Sequence, residues 1–184
     1  MKKPSDEAVA TYLERNGYLR KVAGKGTFEE AVKCFNLMLT TGKGVFITGR
    51  CGVGKTLFCN IASKAVQHER LQTVRLGLPN QLALITDDYY FQRSMSGSVI
   101  LDDIGAERAV NEYGVIRESV GEFITAFHTR WAGDTATSVR LFGNTNLSGE
   151  AFLRRYTQRV WSRITDLCVI WNMKGEDKRK VDVV

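Results

Sequence analysis

The chain has 184 residues, enough for one α/β domain with a substantial core and too few for two. Hydrophobic residues make up 43% and charged residues 25%; the longest interior apolar run, Leu167 to Trp171, is strand-sized, so a membrane span is excluded and a cytoplasmic protein expected. The net charge of +6 permits contact with nucleic acid without requiring it, and four cysteines with no C-x-x-C pair beside two distant histidines argue against a zinc site.

Residues 1–26 read as a polar amino-terminal arm, a candidate partner-docking segment with a helix near Ala8 to Arg15; residues 27–184 read as the main domain. Thr27-Phe28-Glu29-Glu30 has the pattern of a capping box. Phe28, Ala31, Val32, Phe35, Met38 and Leu39 then follow helical spacing, which predicts a core-facing stripe. Gly42-Lys43-Gly44 ends that helix, and Val45-Phe46-Ile47 predicts the first strand.

Directly after this strand stands Gly49-Arg50-Cys51-Gly52-Val53-Gly54-Lys55-Thr56, a complete G-x-x-x-x-G-K-[ST] loop, with Leu57 opening an apolar helical pattern. The glycines let backbone N–H groups curl around a polyphosphate, Lys55 reaches the outer phosphates, and the Thr56 hydroxyl is a Mg²⁺ ligand. The helix that follows turns its N-terminus, with unpaired N–H groups and the positive dipole end, toward the same anion. Cys51, inside the loop, is a candidate for alkylation.

After a weaker strand at Thr73 to Leu76 and a helix expected within Asn80 to Ser94, Val99-Ile100-Leu101-Asp102-Asp103 forms an apolar strand ending in two carboxylates. Hydrolysis needs such a second site. Asp102 would hold Mg²⁺ through water, Asp103 would act as general base, and Glu107 is a substitute base; an acidic turn closing a buried strand is the alternative. Tyr113 to Trp131 predicts a long amphipathic helix, Val139 to Phe142 a fourth strand and Leu167 to Trp171 a fifth. Strands alternating with helices predict a three-layer αβα sandwich around a five-stranded parallel sheet. No space for a carboxy-terminal helical lid is expected after Trp171.

Asp102-Asp103-Ile104-Gly105-Ala106-Glu107, the turn Asn144-Thr145-Asn146-Leu147-Ser148, and the run Arg155 to Ile164 follow the phosphate loop in fixed order. Together they resemble the DnaC/IstB-like AAA+ ATPases, the replicative-helicase loaders and insertion-sequence transposition helpers, over roughly residues 28 to 180. The resemblance implies ATP/ADP and Mg²⁺ as cofactors and self-association on ATP or DNA. It also implies a replicative helicase or a transposase as client, and single- or double-stranded DNA as a partner. It makes Asn146 the sensor that contacts the γ-phosphate or its attacking water, with Asn144 as runner-up. An arginine finger falls in the run containing Arg155, Arg159 and Arg163, and Ser162-Arg163-Ile164 matches the family position best. A guanidinium suits that role because its planar fork bridges two phosphoryl oxygens and stays protonated when desolvated.

Two other classes fit the loop. A small P-loop kinase would share the sheet but needs an acceptor pocket and a basic lid, for which only the arginine run offers itself. A nucleotide-gated binding module with negligible turnover is the other, because Asp103 stands where a longer Glu is common. A GTPase is rejected: Asp102-Asp103-Ile104-Gly105 matches D-x-x-G, but the strand that should carry N-K-x-D ends in Asn144-Thr145-Asn146-Leu147.

Overall fold

The structure, a computed structural model, describes residues 4–66, 71–75, 98–107, 110–112, 115–117, 119–133 and 139–178. The elements in order are α1 (Asp6–Arg15), α2 (Arg20–Ala23), α3 (Lys25–Thr41), β1 (Gly44–Thr48), α4 (Lys55–Val66), β2 (Leu71–Arg75) and β3 (Ser98–Ile104). There follow β4 (Val110–Glu112), β5 (Val115–Arg117), α5 (Ser119–Gly133), β6 (Leu141–Thr145), α6 (Gly149–Leu167) and β7 (Cys168–Asn172). Five strands form one sheet in the order β2-β3-β6-β1-β7, and every neighbouring pair in it is parallel.

Strand periodicity divides the core. Val45 and Ile47 of β1 pack with Phe28, Phe35, Met38, Phe58 and Ile61 from α3 and α4 on one face, while Phe46 between them joins Phe123, Phe127, Phe152 and Ile164 from α5 and α6 on the other. Likewise Ile100 faces α4 and its neighbours Val99 and Leu101 face the opposite layer. Alternation with both faces covered is what a buried parallel sheet imposes on its strands.

The amino-terminal segment shares this core. Val9, Leu13 and Tyr18 are at most 3% exposed and pack with Phe28 and Phe35. Ser5 caps α1 by accepting from Ala8 N at 3.2 Å. The expected capping box at Thr27 is overturned: α3 begins at Lys25 behind Gly24, two residues earlier, which leaves Thr27 inside the first turn. The Thr27 hydroxyl instead donates to Lys174 O at 3.2 Å, and Glu30 accepts from Trp171 Nε1 at 3.1 Å. The other end of α3 closes on Gly42 in the left-handed region at φ 73°, and Arg140 Nη1 donates to the carbonyls of Met38 and Lys43.

Two more expectations shift. The helix predicted from Tyr113 begins only at Ser119, because residues 115–117 pair antiparallel with 110–112 as a small hairpin. Val110, Val115 and Ile116 are β-branched, which favours the pleated arrangement over the helical spacing that starts at Ile116. Helix α6 also breaks at Thr157, whose backbone (φ 68°, ψ 159°) is non-helical, so its two halves are Gly149–Tyr156 and 158–167. The helix expected within Asn80 to Ser94 lies outside the described residues. Among the described residues no helix is long and apolar enough to cross a membrane.

Candidate functional site

The carboxyl ends of the parallel strands β1, β3 and β6 gather the candidate residues, at the edge where open α/β sheets receive ligands. The loop from Gly49 to Gly54 joins β1 to α4. Gly49, Gly52 and Gly54 all have positive φ, at 147°, 78° and 104°, which side-chain-bearing residues rarely adopt. Lys55, the first residue of α4, is 5% exposed and turns back on the loop: its ammonium donates to Gly49 O and Arg50 O, both at 2.8 Å, and to Asn146 Oδ1 at 2.6 Å. Burial holds its pKa below the ordinary lysine value, partly offset by Cys51, Asp103 and Asp102 nearby.

The carboxylate strand reaches the loop from the side of α4. By alternation Asp102 shares a face with Ile100, and Thr56 Oγ1 donates to Asp102 Oδ1 at 2.8 Å. Asn144, on the adjoining strand, donates from Nδ2 to the same oxygen at 2.6 Å. Asn144 is fully buried, and its Oδ1 accepts from Asp103 N at 3.1 Å, so one amide grips both acidic residues.

Regular alternation would send Asp103 to the opposite face, among the apolar side chains of α5 and α6. A bulge prevents this. Between Leu101 and Ile104 three steps on β3 match two on β6, and Asp103 takes φ 60°, in the left-handed region. Ile104 thereby falls back into the α5–α6 core layer, and the Asp103 carboxylate accepts from Asn146 Nδ2 at 3.2 Å. Left-handed backbone at a non-glycine residue costs roughly 1 to 3 kcal/mol and is retained where surroundings enforce it.

Asn146 therefore spans Lys55 and Asp103, and Asn144 spans Asp102 and the Asp103 backbone. A hydroxyl and a carboxylate at Thr56 and Asp102 are hard oxygen donors, the type Mg²⁺ takes together with phosphate oxygens and water. The structure brings together Gly49 to Thr56, Asp102, Asp103, Asn144 and Asn146.

Glu107 and Arg163 stand elsewhere. Glu107 is 7% exposed, and both its carboxylate oxygens are engaged: Oε2 accepts from Gly105 N at 2.8 Å, and Oε1 takes the Tyr156 hydroxyl and lies 3.2 Å from Arg155 Nη2. Arg155 also donates to Gly105 O at 2.8 Å and Glu107 O at 2.5 Å. This knot ties the end of the carboxylate strand to α6 just before its break, a geometry suited to holding the turn and unsuited to abstracting a proton at the loop. Leu57, at 43% exposure, points outward from α4. Arg163 lies in the second half of α6, lining a cavity of about 260 Å³ with Gly121, Thr125, Tyr156, Arg159 and Val160. Its Nε and Nη1 are buried without a hydrogen-bond partner among the described residues.

No protein-family model matches the sequence, and no curated protein matches it. A solved structure, that of the DnaC helicase loader, superposes with a TM-score of 0.60, covering 80% of this chain and 90% of that one at 18% identity. The fold is DnaC-like. At that identity the comparison establishes architecture, and it supports the α/β P-loop reading of the strand, loop and carboxylate order.

Within the DnaC-like fold the two asparagines divide the contacts, where the sequence points to Asn146 with Asn144 as its alternative. Their i, i+2 spacing at a strand end was the available signal, since it puts both at the same edge. The bulge at Asp103 carried no such signal. Nor did the packing of residues 173–178 against the phosphate loop, where Lys178 N donates to Gly52 O at 3.1 Å.

Proposed function

We propose that the chain is an ATP-binding and hydrolysing, Mg²⁺-dependent AAA+ ATPase of DnaC/IstB type. It acts in DNA replication, by helicase loading, or in transposition, through nucleotide-controlled assembly on DNA or on a partner protein. The observation that carries this reading is the Asn146 bridge between Lys55 and Asp103. An amide that already touches the phosphate-binding lysine and the proposed base is placed to donate to a phosphate oxygen and accept from water in one geometry.

The residues divide the reaction as follows. The backbone of Gly52 to Lys55 cradles the phosphates, and the Lys55 ammonium leaves the carbonyls of Gly49 and Arg50 to neutralise the outer ones. Thr56 and Asp102 would hold Mg²⁺, which supplies charge neutralisation across the phosphate oxygens. Asp103 takes the proton of the attacking water while Asn146 orients it. Arg163 serves a neighbouring subunit as the finger, the role that its place in Ser162-Arg163-Ile164 implies.

The kinase reading is weaker because β6 lies between the loop strand and the carboxylate strand and puts amides at the centre of the site. Amides there favour an ordered water over a docked acceptor. The amino-terminal arm offers exposed Leu19 and Val22 as the place for a helicase or transposase to dock.

The test is ATP hydrolysis and ATP binding in the wild type and in Lys55→Ala, with mass in solution measured with ADP and with a non-hydrolysable ATP analogue, each with and without single-stranded DNA. Nucleotide-dependent assembly and turnover, both lost in Lys55→Ala, are expected. ATP binding that survives unchanged in a folded Lys55→Ala protein would sink the assignment.

A further inference from the structure

Beyond β7 the chain does not leave the site. Met173 N donates to Thr48 O at 2.8 Å, extending the β1 edge, and Lys174 O accepts from the Thr27 hydroxyl at 3.2 Å. Residues 175–178 then cross the phosphate loop. Lys178 N donates to Gly52 O at 3.1 Å, and the Lys178 ammonium stands 5.6 Å above the Tyr18 ring. Between these anchors the Asp177 carboxylate rests against Gly52, so closely that a Cβ at Gly52 would collide with it.

A carboxylate against a polyphosphate cradle occupies a place suited to another anion. The loop concentrates N–H dipoles and the helix N-terminus for an anion, and Asp177 supplies an anion from the protein's own chain. The strap is also built for release. Met173 anchors its base in the core and accepts from the Tyr18 hydroxyl, while the four residues Lys174 to Asp177 include Gly175 and three charged groups with little apolar area to hold them down.

We propose that residues 173–178 are a nucleotide-released latch, in which the Asp177 carboxylate and a nucleotide polyphosphate compete for the phosphate loop. Nucleotide binding then frees the strap, and in the nucleotide-free protein the latch keeps the loop closed to weak anions. This rests on the nucleotide-site reading given above. By linkage the competition is reciprocal, so whatever loosens the strap tightens nucleotide binding.

The experiment measures ADP, ATP and adenosine affinity for the full chain and for Asp177→Asn and Thr27→Val, which loosen the strap from opposite sides without touching the loop. Both variants should bind ADP and ATP more tightly, Asp177→Asn by roughly tenfold as a like charge is removed, with adenosine affinity unchanged. Limited trypsin digestion supplies the second readout: in the wild type, cleavage after Lys174 and Lys178 should accelerate when ATP is added. Protection of these sites by ATP, or weaker ADP and ATP binding in Asp177→Asn, overturns the latch. So does unchanged affinity in both variants. A wild type that binds neither ADP nor ATP defeats the nucleotide-site reading itself, which separates the two failures.

Discussion

Asn144 Nδ2 donates to Asp102 Oδ1 at 2.6 Å while the same amide's Oδ1 accepts from Asp103 N, so a single buried side chain holds the carboxylate of one acidic residue and the backbone of the next. Removing it leaves a buried carboxylate and a backbone N–H short of a partner, a loss of about 1 to 3 kcal/mol. Asn144→Ala should therefore lower stability and impair Mg²⁺-dependent hydrolysis together. Asn146→Ala, at a more exposed position, should impair hydrolysis with little change in the denaturation midpoint. Equal stability losses in the two variants, read by urea titration, would contradict this division.

The contrast between Asp103 and Glu107 gives a second test. Glu107 closes a buried knot with Arg155, Tyr156 and Gly105, and breaking a buried ion pair by removing one partner costs about 3 to 5 kcal/mol. Glu107→Ala should unfold at markedly lower urea. Asp103→Asn should keep its stability, bind ATP and fail in turnover. If Glu107→Gln proves folded, ATP-binding and inactive while Asp103→Asn hydrolyses normally, the base is the other carboxyl.

Much of this site was legible in the residues because its signals are local. The phosphate loop, its lysine and threonine, and the strand-terminal carboxylates follow from spacing within short segments. The apolar runs of β1 and β3, alternating with helical patterns, likewise announced a parallel sheet covered on both faces. The misread elements depend on contacts distant in sequence. Thr27 has the side chain and the spacing of a helix cap, yet its partner is Lys174, supplied by a strap from the other end of the chain. The start of α5 was obscured because 115–117 pair with 110–112, and Asp103 was re-aimed by a bulge defined only against β6.

Thiol chemistry reports on the loop directly. Burial pushes the Cys34 thiol up to about 12, and Cys59 and Cys168 are also raised by burial, whereas Cys51 is exposed within the phosphate loop. The thiolate is the nucleophile, so at pH 8 a thiol at about 12 has roughly one part in ten thousand in reactive form. A folded sample at pH 8 should be labelled by iodoacetamide at Cys51 first, and MgATP should slow that labelling while adenosine does not. Peptide mapping in which a buried cysteine leads, or in which MgATP leaves the Cys51 rate untouched, would count against the placement of the phosphates.

Arg163 separates an assembled active site from a self-contained one. Arg163 lines the cavity between α5 and the second half of α6 with Nε and Nη1 buried, so service to a neighbouring site requires the guanidinium to swing out of that cavity on assembly. An arginine supplied in trans is worth about 10³ to 10⁵ in rate. Arg163→Ala should bind ATP nearly normally, hydrolyse it about a thousandfold or more slowly, and retain its fold. Lys55→Ala should be inactive for the opposite reason, because its own loop fails. Mixed, the two inactive proteins would form some interfaces pairing an intact loop on one subunit with an intact Arg163 on the next, and part of the activity should return. Absence of rescue in samples shown to co-assemble would assign Arg163 to its own subunit or to a purely binding role.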